Sequence, residues 1–575
     1  MTESPNANEQ EFEQSQPGDL AANPPSAADR QLAKSSSVMA AGTVLSRVTG
    51  IGRDIAMTAA LGFFLVSDAY SLGNSLPNIV YILVVGGALN AVFIPQLVRH
   101  MKDDADNGQG YANRLLTITG VALLGLAVLS VVLAPWIVDL YTPDDYPQSQ
   151  LELATAFARL CLPQIFFYGI YAMLSQVLNA RGRFGAPMFA PIANNIIAIA
   201  TFVLFLVIAG TSAAADGVLT TDQVLLLGIG TTLGVAVQAL ILIPVLMRTG
   251  FGFKPMFDWR GAGLGKSGTL AMWTIGLVLV NQLAYIVITR LATQANVDAA
   301  LSGTVAAGLT TYQKAHLVFV LPHSVITVSI VTALLPALSR VAHSGNLRQV
   351  GLDIGKTMRM VAMLIVPVSA VLILLGPQIS VLLFGYGAAT AAQAGLMGVI
   401  VSLFVLGLLP FTLFYVLLRG FYSLEDTKTP FWVTVAFNVV YLALAIPLFE
   451  YFLAGGQQVA MLALSYSIAY WLVFILTWAL LHRRLGTVDT GRTVKMLLRV
   501  LIAALIAAAV MFGTQVLMST FVTGRGIENK LDVLLNVIVV SLVGLAAFIA
   551  AARALRVSEM TAVLGLVGAK LRRGR

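Results

Sequence analysis

The sequence predicts an all-α polytopic membrane protein with 14 transmembrane helices: two six-helix lobes in parallel pseudo-repeat plus two C-terminal helices. Three observations carry that prediction. The 575 residues are 58% hydrophobic and only 11% charged, whereas soluble domains hold about a quarter charged residues. Apolar segments long enough to cross a bilayer recur along the chain, separated by loops whose basic content alternates. Two short motifs recur at nearly the same offset, on helices six apart.

Residues 1–36 are polar, acidic and proline-containing, with no apolar run. Such a stretch buries too little surface to offset chain entropy, so a disordered cytoplasmic tail is expected. It also lacks the basic start and apolar core of a signal peptide. Crossing a bilayer takes about 20 mostly apolar residues. Fourteen segments qualify: 38–61, 68–98, 115–140, 155–179, 187–210, 223–247, 267–292, 303–338, 357–377, 389–418, 430–450, 457–481, 493–519 and 531–552. The connections test that count. Of 35 Lys and Arg residues, 28 lie in the even-to-odd connections and the two tails, whereas the odd-to-even connections hold only Arg525 and Lys530. Basic residues collect in cytoplasmic loops, so both termini are expected in the cytoplasm, and the net charge of +8 calls for no nucleic acid. Cys161 is the single cysteine, which excludes an intramolecular disulfide and a cysteine-rich zinc site. The five histidines form no H-x-x-x-H or H-E-x-x-H pair, so no metal site is expected.

The duplication is read from two pairs of segments. "FIPQLVRH" closes the second span and "LLPALSRV" the eighth, which aligns Pro95, Leu97 and Arg99 with Pro336, Leu338 and Arg340 at an offset of 241. "GRFGAPMFAPIANNI" opens the fifth span and "EDTKTPFWVTVAFNV" the eleventh, aligning Pro187 and Asn195 with Pro430 and Asn438 at an offset of 243. Six is even, so the halves share one orientation, as in a two-lobed transporter with its substrate between the lobes. The expected organisation is an N-lobe over 37–250 (helices 1–6) and a C-lobe over 251–485 (helices 7–12). Helices 13–14 follow over 486–555, then a basic cytoplasmic tail over 556–575. Pro77 and Pro322 lie at matched places inside the second and eighth spans. Each removes a backbone hydrogen bond, which makes the pair candidate hinges.

Five basic residues fall within or at the edge of spans: Arg47, Arg53, Arg159, Arg290 and Lys314. Intramembrane charges are rare, face the interior and mark functional sites. The first span cannot avoid Arg47, Arg53 and Asp54, because the apolar stretches on either side are too short to cross alone. At 100° per residue, Arg47 and Asp54 are nearly eclipsed, and Thr43, Arg47, Gly50 and Asp54 form one stripe. Arg53 points about 120° away from Arg47 and sits about 9 Å along the axis. One arginine is therefore aimed at a substrate and the other at a gate carboxylate, with Asp68 as a second partner. Guanidinium groups in a cavity match phosphate or pyrophosphate through paired, charge-assisted bonds. Arg290 and Lys314 in the seventh and eighth spans are placed to close around the same anion. Gly50, Gly52, Gly86, Gly87 and Asn90 keep the walls small and polar.

"RGAGLGKSG", 260–268, ends like a nucleotide-binding loop, but Arg260 stands where the first glycine is needed and no strand precedes it. It is read as a cytoplasmic loop, and no ATP-driven step on this chain is expected.

"LSRVTGIGRD" and "LPNIVYILVVGGALNAVFIPQL", with "FVLPHSVITVSIVTALLPALSR" and "GFYSLEDTKTP", make the chain resemble the MurJ (MviN) family over about 38–555. That family consists of bacterial lipid II flippases of the multidrug/oligosaccharidyl-lipid/polysaccharide exporter superfamily. The resemblance implies a central cationic cavity and a hydrophobic groove, formed by the last two helices, for the polyprenyl chain. It implies a multi-pass protein of the bacterial cytoplasmic membrane, not an enzyme. Its substrate would be lipid II, an undecaprenyl-pyrophosphate-linked disaccharide-pentapeptide, turned to the outer leaflet by alternating access. No cofactor is implied; coupling to membrane potential or a monovalent cation is left open. Membrane lipids and peptidoglycan synthesis or division proteins are the implied partners. The family's first-helix arginines carry over to Arg47 and Arg53, its gate aspartate to Asp54, and the acid before the second helix to Asp68. Two departures stand out. Tyr81-Ile82 and Gly86 occupy places where many members have arginine and glutamate, and the eighth-helix arginine before Pro322 is replaced by Lys314 or His316. Three other functions fit parts of the sequence: a flippase for another polyprenyl-linked oligosaccharide, a multidrug or cation antiporter, and a non-transporting wall-synthesis scaffold. The excess of intramembrane basic residues disfavours the antiporter.

Overall fold

The computed structural model describes residues 27–83, 106, 108–258, 268–451, 455–521 and 529–560. Within them the chain is helical throughout. The first half holds α1 (Ala27–Leu61), α2 (Leu65–Tyr81), α3 (Gln109–Val132), α4 (Ala134–Tyr141), α5 (Gln148–Cys161), α6 (Gln164–Ala180), α7 (Gly185–Ala209), α8 (Thr221–Leu240) and α9 (Leu242–Met247). The second half holds α10 (Gly268–Ser302), α11 (Leu309–Pro322), α12 (Val328–His343), α13 (Leu347–Phe384), α14 (Ala391–Val405), α15 (Leu408–Ser423), α16 (Lys428–Tyr451) and α17 (Gly455–Leu485). A π-helical turn, His323–Thr327, joins α11 to α12, and α18 (Thr490–Phe521) and α19 (Lys530–Ala554) close the chain.

Local chemistry sets many of these boundaries. Thr220 and Thr390 start α8 and α14 with reciprocal capping boxes to Gln223 and Gln393, satisfying helix N–H groups that lipid cannot serve. Breaks within spans fall beside Pro135, Pro163, Pro244 and Pro410, in or just before the first turn of the following helix. Proline is tolerated there because those N–H groups have no intrahelical partner.

Eleven described helices are long and apolar enough to cross a membrane, and α14 with α15, bent by 46°, makes a twelfth if it is one span. These fall on the third to fourteenth predicted spans. The first two predicted spans stand apart from that count: α1 carries Arg47, Arg53 and Asp54, and α2 is described only through Leu83. α1 begins at Ala27, so the end of the predicted tail is helical; its run of Ala, Gln, Lys and Arg favours that state. Exposed apolar residues such as Ile196, Val203 and Val207 on α7 and Leu498, Leu505 and Phe512 on α18 form faces suited to lipid. Asn90, Gly86, Gly87 and most of "RGAGLGKSG" lie outside the described residues.

The duplication reappears as a pair of equivalent bonds. Asn195 on α7 donates to Ser46 O and Thr49 Oγ1 of α1, at 3.1 and 3.0 Å. Asn438 on α16 donates to Asn281 Oδ1 of α10, at 3.0 Å. The fifth span is thus bonded to the first as the eleventh is to the seventh, by asparagines 243 residues apart. Interhelical bonds of this kind are worth about 0.6–2 kcal/mol in a membrane.

The last two helices pack on α13 and leave an apolar groove of about 490 Å³, lined among others by Met363, Pro367, Val371, Met511, Leu542 and Phe548. Each end of the groove is pinned. Lys530 Nζ donates to Val381 O and Gly385 O, both at 2.8 Å, at the C-terminus of α13. At the other end Arg359, counted from sequence as a loop residue, is buried and pairs with Asp489 at 2.6 Å and Glu559 at 3.0 Å. Replacing Arg359 with methionine strands two partly buried carboxylates and is expected to cost about 3 kcal/mol. Thermal unfolding of the purified protein in detergent measures that loss, and an unchanged midpoint contradicts it.

Candidate functional site

α11 is one of the helices along which the two halves meet. Its residues divide into two stripes at helical spacing. Thr310, Lys314 and Ser324 lie along one side and bond to α1 and α2; Tyr312, His316, Phe319 and His323 lie along another and pack into the second half.

The polar stripe begins at Asp68, a buried residue in the first turn of α2. Its carboxylate accepts the backbone N–H groups of Leu309 and Thr310, at 3.1 and 2.7 Å, and Asn296 Nδ2 at 2.8 Å. It therefore caps a helix of the other half, where free N–H groups and the helix dipole favour an anion. Ser67 and Ser71 bond to Thr310 Oγ1 at 3.1 and 2.8 Å. The approach demands glycine at 308, since a Cβ there would lie 2.1 Å from Asp68 Oδ2. The same end is closed again where Ala388 N donates to Ala59 O at 2.7 Å, beside Gly387 at φ +60°.

One turn along α11 from Thr310, Lys314 Nζ donates to Asp54 Oδ1 at 2.6 Å, both side chains being buried. Arg53 approaches the same oxygen at 3.5 Å, with 39% of its side chain exposed. The three line a cavity of about 190 Å³ with Asn74, Tyr168, Asn194 and Gln313. Further along, the Arg47 guanidinium donates to Ser324 Oγ in the π-helical turn after Pro322. Pro322 ends α11 and is followed by the π-helical turn, and Pro77 lies buried in α2, which passes into π-helical geometry at Ile82 and Leu83.

Several expectations are redrawn by this geometry. Asp54 is bonded to Arg53, the arginine expected beside the gate carboxylate, and also to Lys314, which α11 brings within reach of it; Arg47, on the same stripe of α1 as Asp54, bonds to Ser324. Lys314 is the eighth-span cation at the site; His316 faces the aromatic side and contacts Tyr466 OH at 3.3 Å. Arg290 is not in this cavity. It pairs with Asp144 at 2.6 Å in the loop between α4 and α5 and donates to Asp139 O of α4 at 3.3 Å, since this stretch of α10 packs against α4. Asp68 bonds to helix N–H groups rather than to an arginine.

The charged groups of the polar stripe are Arg47, Arg53 and Lys314 against Asp54 and Asp68, a surplus of one positive charge. Such an arrangement suits a dianion that bids for the lysine and arginines now held by Asp54 and Ser324.

Comparison with known proteins accords with this chemistry. The family model described as "Lipid II flippase MurJ" matches residues 57–531. A probable lipid II flippase MurJ of Buchnera aphidicola subsp. Baizongia pistaciae is 26% identical over 476 residues, covering 82% of this chain and 87% of that one. The lipid II flippase MurJ of Burkholderia cenocepacia is 26% identical over 406 residues, covering 69% and 74%. The solved structure "Lipid II flippase MurJ, inward closed conformation" aligns with a TM-score of 0.67 at 20% identity, covering 89% of this chain and 98% of that one. An inward-facing multidrug resistance transporter of the MATE family aligns at 0.55 and 15% identity, covering 77% and 96%. At those identities the two structures establish a shared fold.

Removing either Asp54 or Lys314 strands a buried charge, and removing both does not. Asp54→Asn and Lys314→Met are each expected to destabilise by about 2–4 kcal/mol and the double variant by clearly less than their sum. Unfolding free energies in detergent supply the cycle; additivity would mean the two side chains are not coupled.

Proposed function

Because the chain belongs to the MurJ family of lipid II flippases, we infer that it moves lipid II across the bacterial cytoplasmic membrane by alternating access, and that the α11 polar stripe is the device that does so. The observation that supports this most is the bridge Arg53–Asp54–Lys314, in which one carboxylate of the first half holds a cation of the second.

The steps follow from which bonds an anion can replace. We take both termini as cytoplasmic from the basic loops; the Asp68 end of the bundle then faces outward and is shut, and Arg47 lies nearer the cytoplasm than Arg53. A pyrophosphate entering from the inner leaflet meets Arg47 first. It then competes with Asp54 for Arg53 and Lys314, in a cavity where water is scarce and each ionic bond counts for more. Winning Lys314 removes a bond that ties the halves together at mid-membrane. The Asp68 cap and the Ala59–Ala388 contact then remain as the outer closure, and their opening releases the substrate outward. The polyprenyl chain need not enter the cavity, because the groove between α13, α18 and α19 offers it apolar surface. We assign the N-lobe, C-lobe and groove-forming pair the residue ranges expected from sequence. Release needs a bias such as the membrane potential or a monovalent cation. Wall-synthesis and division proteins are the partners the reading implies.

Two outcomes test the reading. Arg47→Ala and Arg53→Ala are each expected to abolish growth supported by this chain as the only lipid II flippase, at normal membrane expression; growth with both would remove the cationic cavity from the mechanism. Asp68→Ala is expected to raise the population open to the outside. Cys161 is the single cysteine and is buried, so a cysteine placed at Asn74 reports cavity access cleanly. An external, membrane-impermeant maleimide should label it several-fold faster when Asp68 is removed, and equal rates would show that the cap is no gate.

A further inference from the structure

A second chamber of about 420 Å³ adjoins the charged cavity, on the side of α11 that faces the second half. Ser75 lines both spaces, and Gln313 of the charged cavity donates to Tyr285 OH of the chamber at 3.0 Å. The volume falls in the range of about 300–1,000 Å³ typical of small-molecule sites.

Its lining has a definite chemistry. Amides come from both halves: Asn78 on α2, Asn281 and Gln282 on α10, and Asn438 on α16. Aromatic rings form the far wall, where Tyr312 and Tyr441 share a hydrogen bond of 2.9 Å and Phe437 packs on Tyr470 at 4.2 Å between centroids. Among the residues lining the chamber there is no Asp, Glu, Lys or Arg. Gln282 Oε1 is buried without a hydrogen-bond partner, although an amide oxygen left so is costly. Asn78, by contrast, stands exposed at the wall.

This lining suits a ligand that is uncharged, rich in hydroxyl and amide groups, and flat on an apolar face. Amides both donate and accept, which hydroxyls require, and aromatic rings offer surface to a pyranose ring. A fixed anion finds no lysine or arginine here, the lining His316 being engaged with Tyr466 OH at 3.3 Å, and a cation finds no carboxylate. We propose that this chamber is the sugar subsite of the lipid II site, where Gln282, Asn281, Asn438 and Asn78 receive the amino-sugar joined to the pyrophosphate held by Arg53 and Lys314. The proposal rests on the lipid II reading above. It explains why the chamber adjoins the charged cavity: the first sugar is bonded directly to the pyrophosphate, so its subsite must be contiguous with the anion's. Two walls of this subsite belong to different halves, so sugar as well as anion senses their relative position.

The test uses the full chain in lipid nanodiscs and two ligands that differ only in the headgroup beyond the pyrophosphate, namely lipid II and undecaprenyl pyrophosphate. Gln282→Leu keeps the volume and removes the amide. It is expected to weaken lipid II binding about tenfold while leaving undecaprenyl pyrophosphate unchanged; Asn78→Leu, an exposed position, should do the same and guards against a folding defect at Gln282. Equal affinity of both variants for lipid II overturns the subsite. So does an equal loss for both ligands, and so does a sodium-dependent rise in melting temperature that Gln282→Leu abolishes while lipid II affinity holds, which would make the chamber a cation site. Arg53→Ala separates the two levels: it should weaken both ligands, and if it weakens neither, the lipid II reading itself fails.

Discussion

The interior of this bundle depends on a single carboxylate that low dielectric will not tolerate alone. Asp54 is buried in the first helix, and an unpaired anion there would cost several kcal/mol. Its own helix supplies Arg53, at 3.5 Å and half turned to the cavity. The shorter contact, 2.6 Å, comes from Lys314 in the other half of the molecule. The halves must therefore meet along α11. The sterics agree with the electrostatics: Gly308 lets Asp68 reach the start of the same helix, and Gly387 lets the turn after α13 lie against Ala59. A buried ion pair is weak evidence of stability, since its Coulomb gain barely repays desolvation. It is a good way to make contact between two bodies conditional on what occupies the space between them.

The two stripes of α11 give that condition a direction. Toward the first half the helix offers hydroxyls, one ammonium and free N–H groups. Each can be satisfied by another partner, whether an anion, water or the same group in a second arrangement. Toward the second half it offers rings packed edge-to-face with Phe404, Tyr415 and Tyr466 and at a tilt on Phe411. Such contacts add about 0.5–1.5 kcal/mol each beyond burial and have no substitute in water. When the halves separate, the polar side parts and the aromatic side holds, so α11 travels with the second half.

The spans were legible because hydropathy and loop charge are properties of short segments. The repeat was legible because Pro187, Asn195, Pro430 and Asn438 keep their spacing, and the structure gives Asn195 and Asn438 the same task. Arg53 and Asp54 announced themselves as charges in an apolar run. What the sequence left hidden was every pairing across the halves. Helical geometry within α1 placed Asp54 beside Arg47, but a lysine 260 residues away decides its contact. Arg290 looked like a cavity residue from its span alone, and a loop acid claims it. Gln282 and Asn281 carried no motif, and Asn438 was marked by the repeat alone; their place in a chamber comes from the tyrosines that the fold gathers around them. The double stripe of α11 could have been read from the spacing of Tyr312, His316, Phe319 and His323 against Thr310 and Lys314, because that periodicity is local.

The lysine explains how a site with fewer arginines still serves. An arginine held by a carboxylate is fixed by a planar fork and must reorient as a unit to take a phosphate. An ammonium on four methylenes is a point charge that swings between two acceptors with little geometric demand. In the proposed exchange, where a substrate takes a cation from Asp54, a lysine makes fewer geometric demands than an arginine. Arg47, bonded among the described residues to a serine hydroxyl of the π-helical turn, meets no carboxylate there that would compete with the proposed anion. The stripe thus grades from an available guanidinium at the entrance, through an exchangeable bridge in the middle, to a carboxylate locked onto helix N–H groups at the far end. An anion moving along it meets cations first and Asp68 last. Repulsion from that final carboxylate opposes a headgroup resting there, which turns the strongest bond of the outer closure into the step that only a rearrangement of the halves can pass.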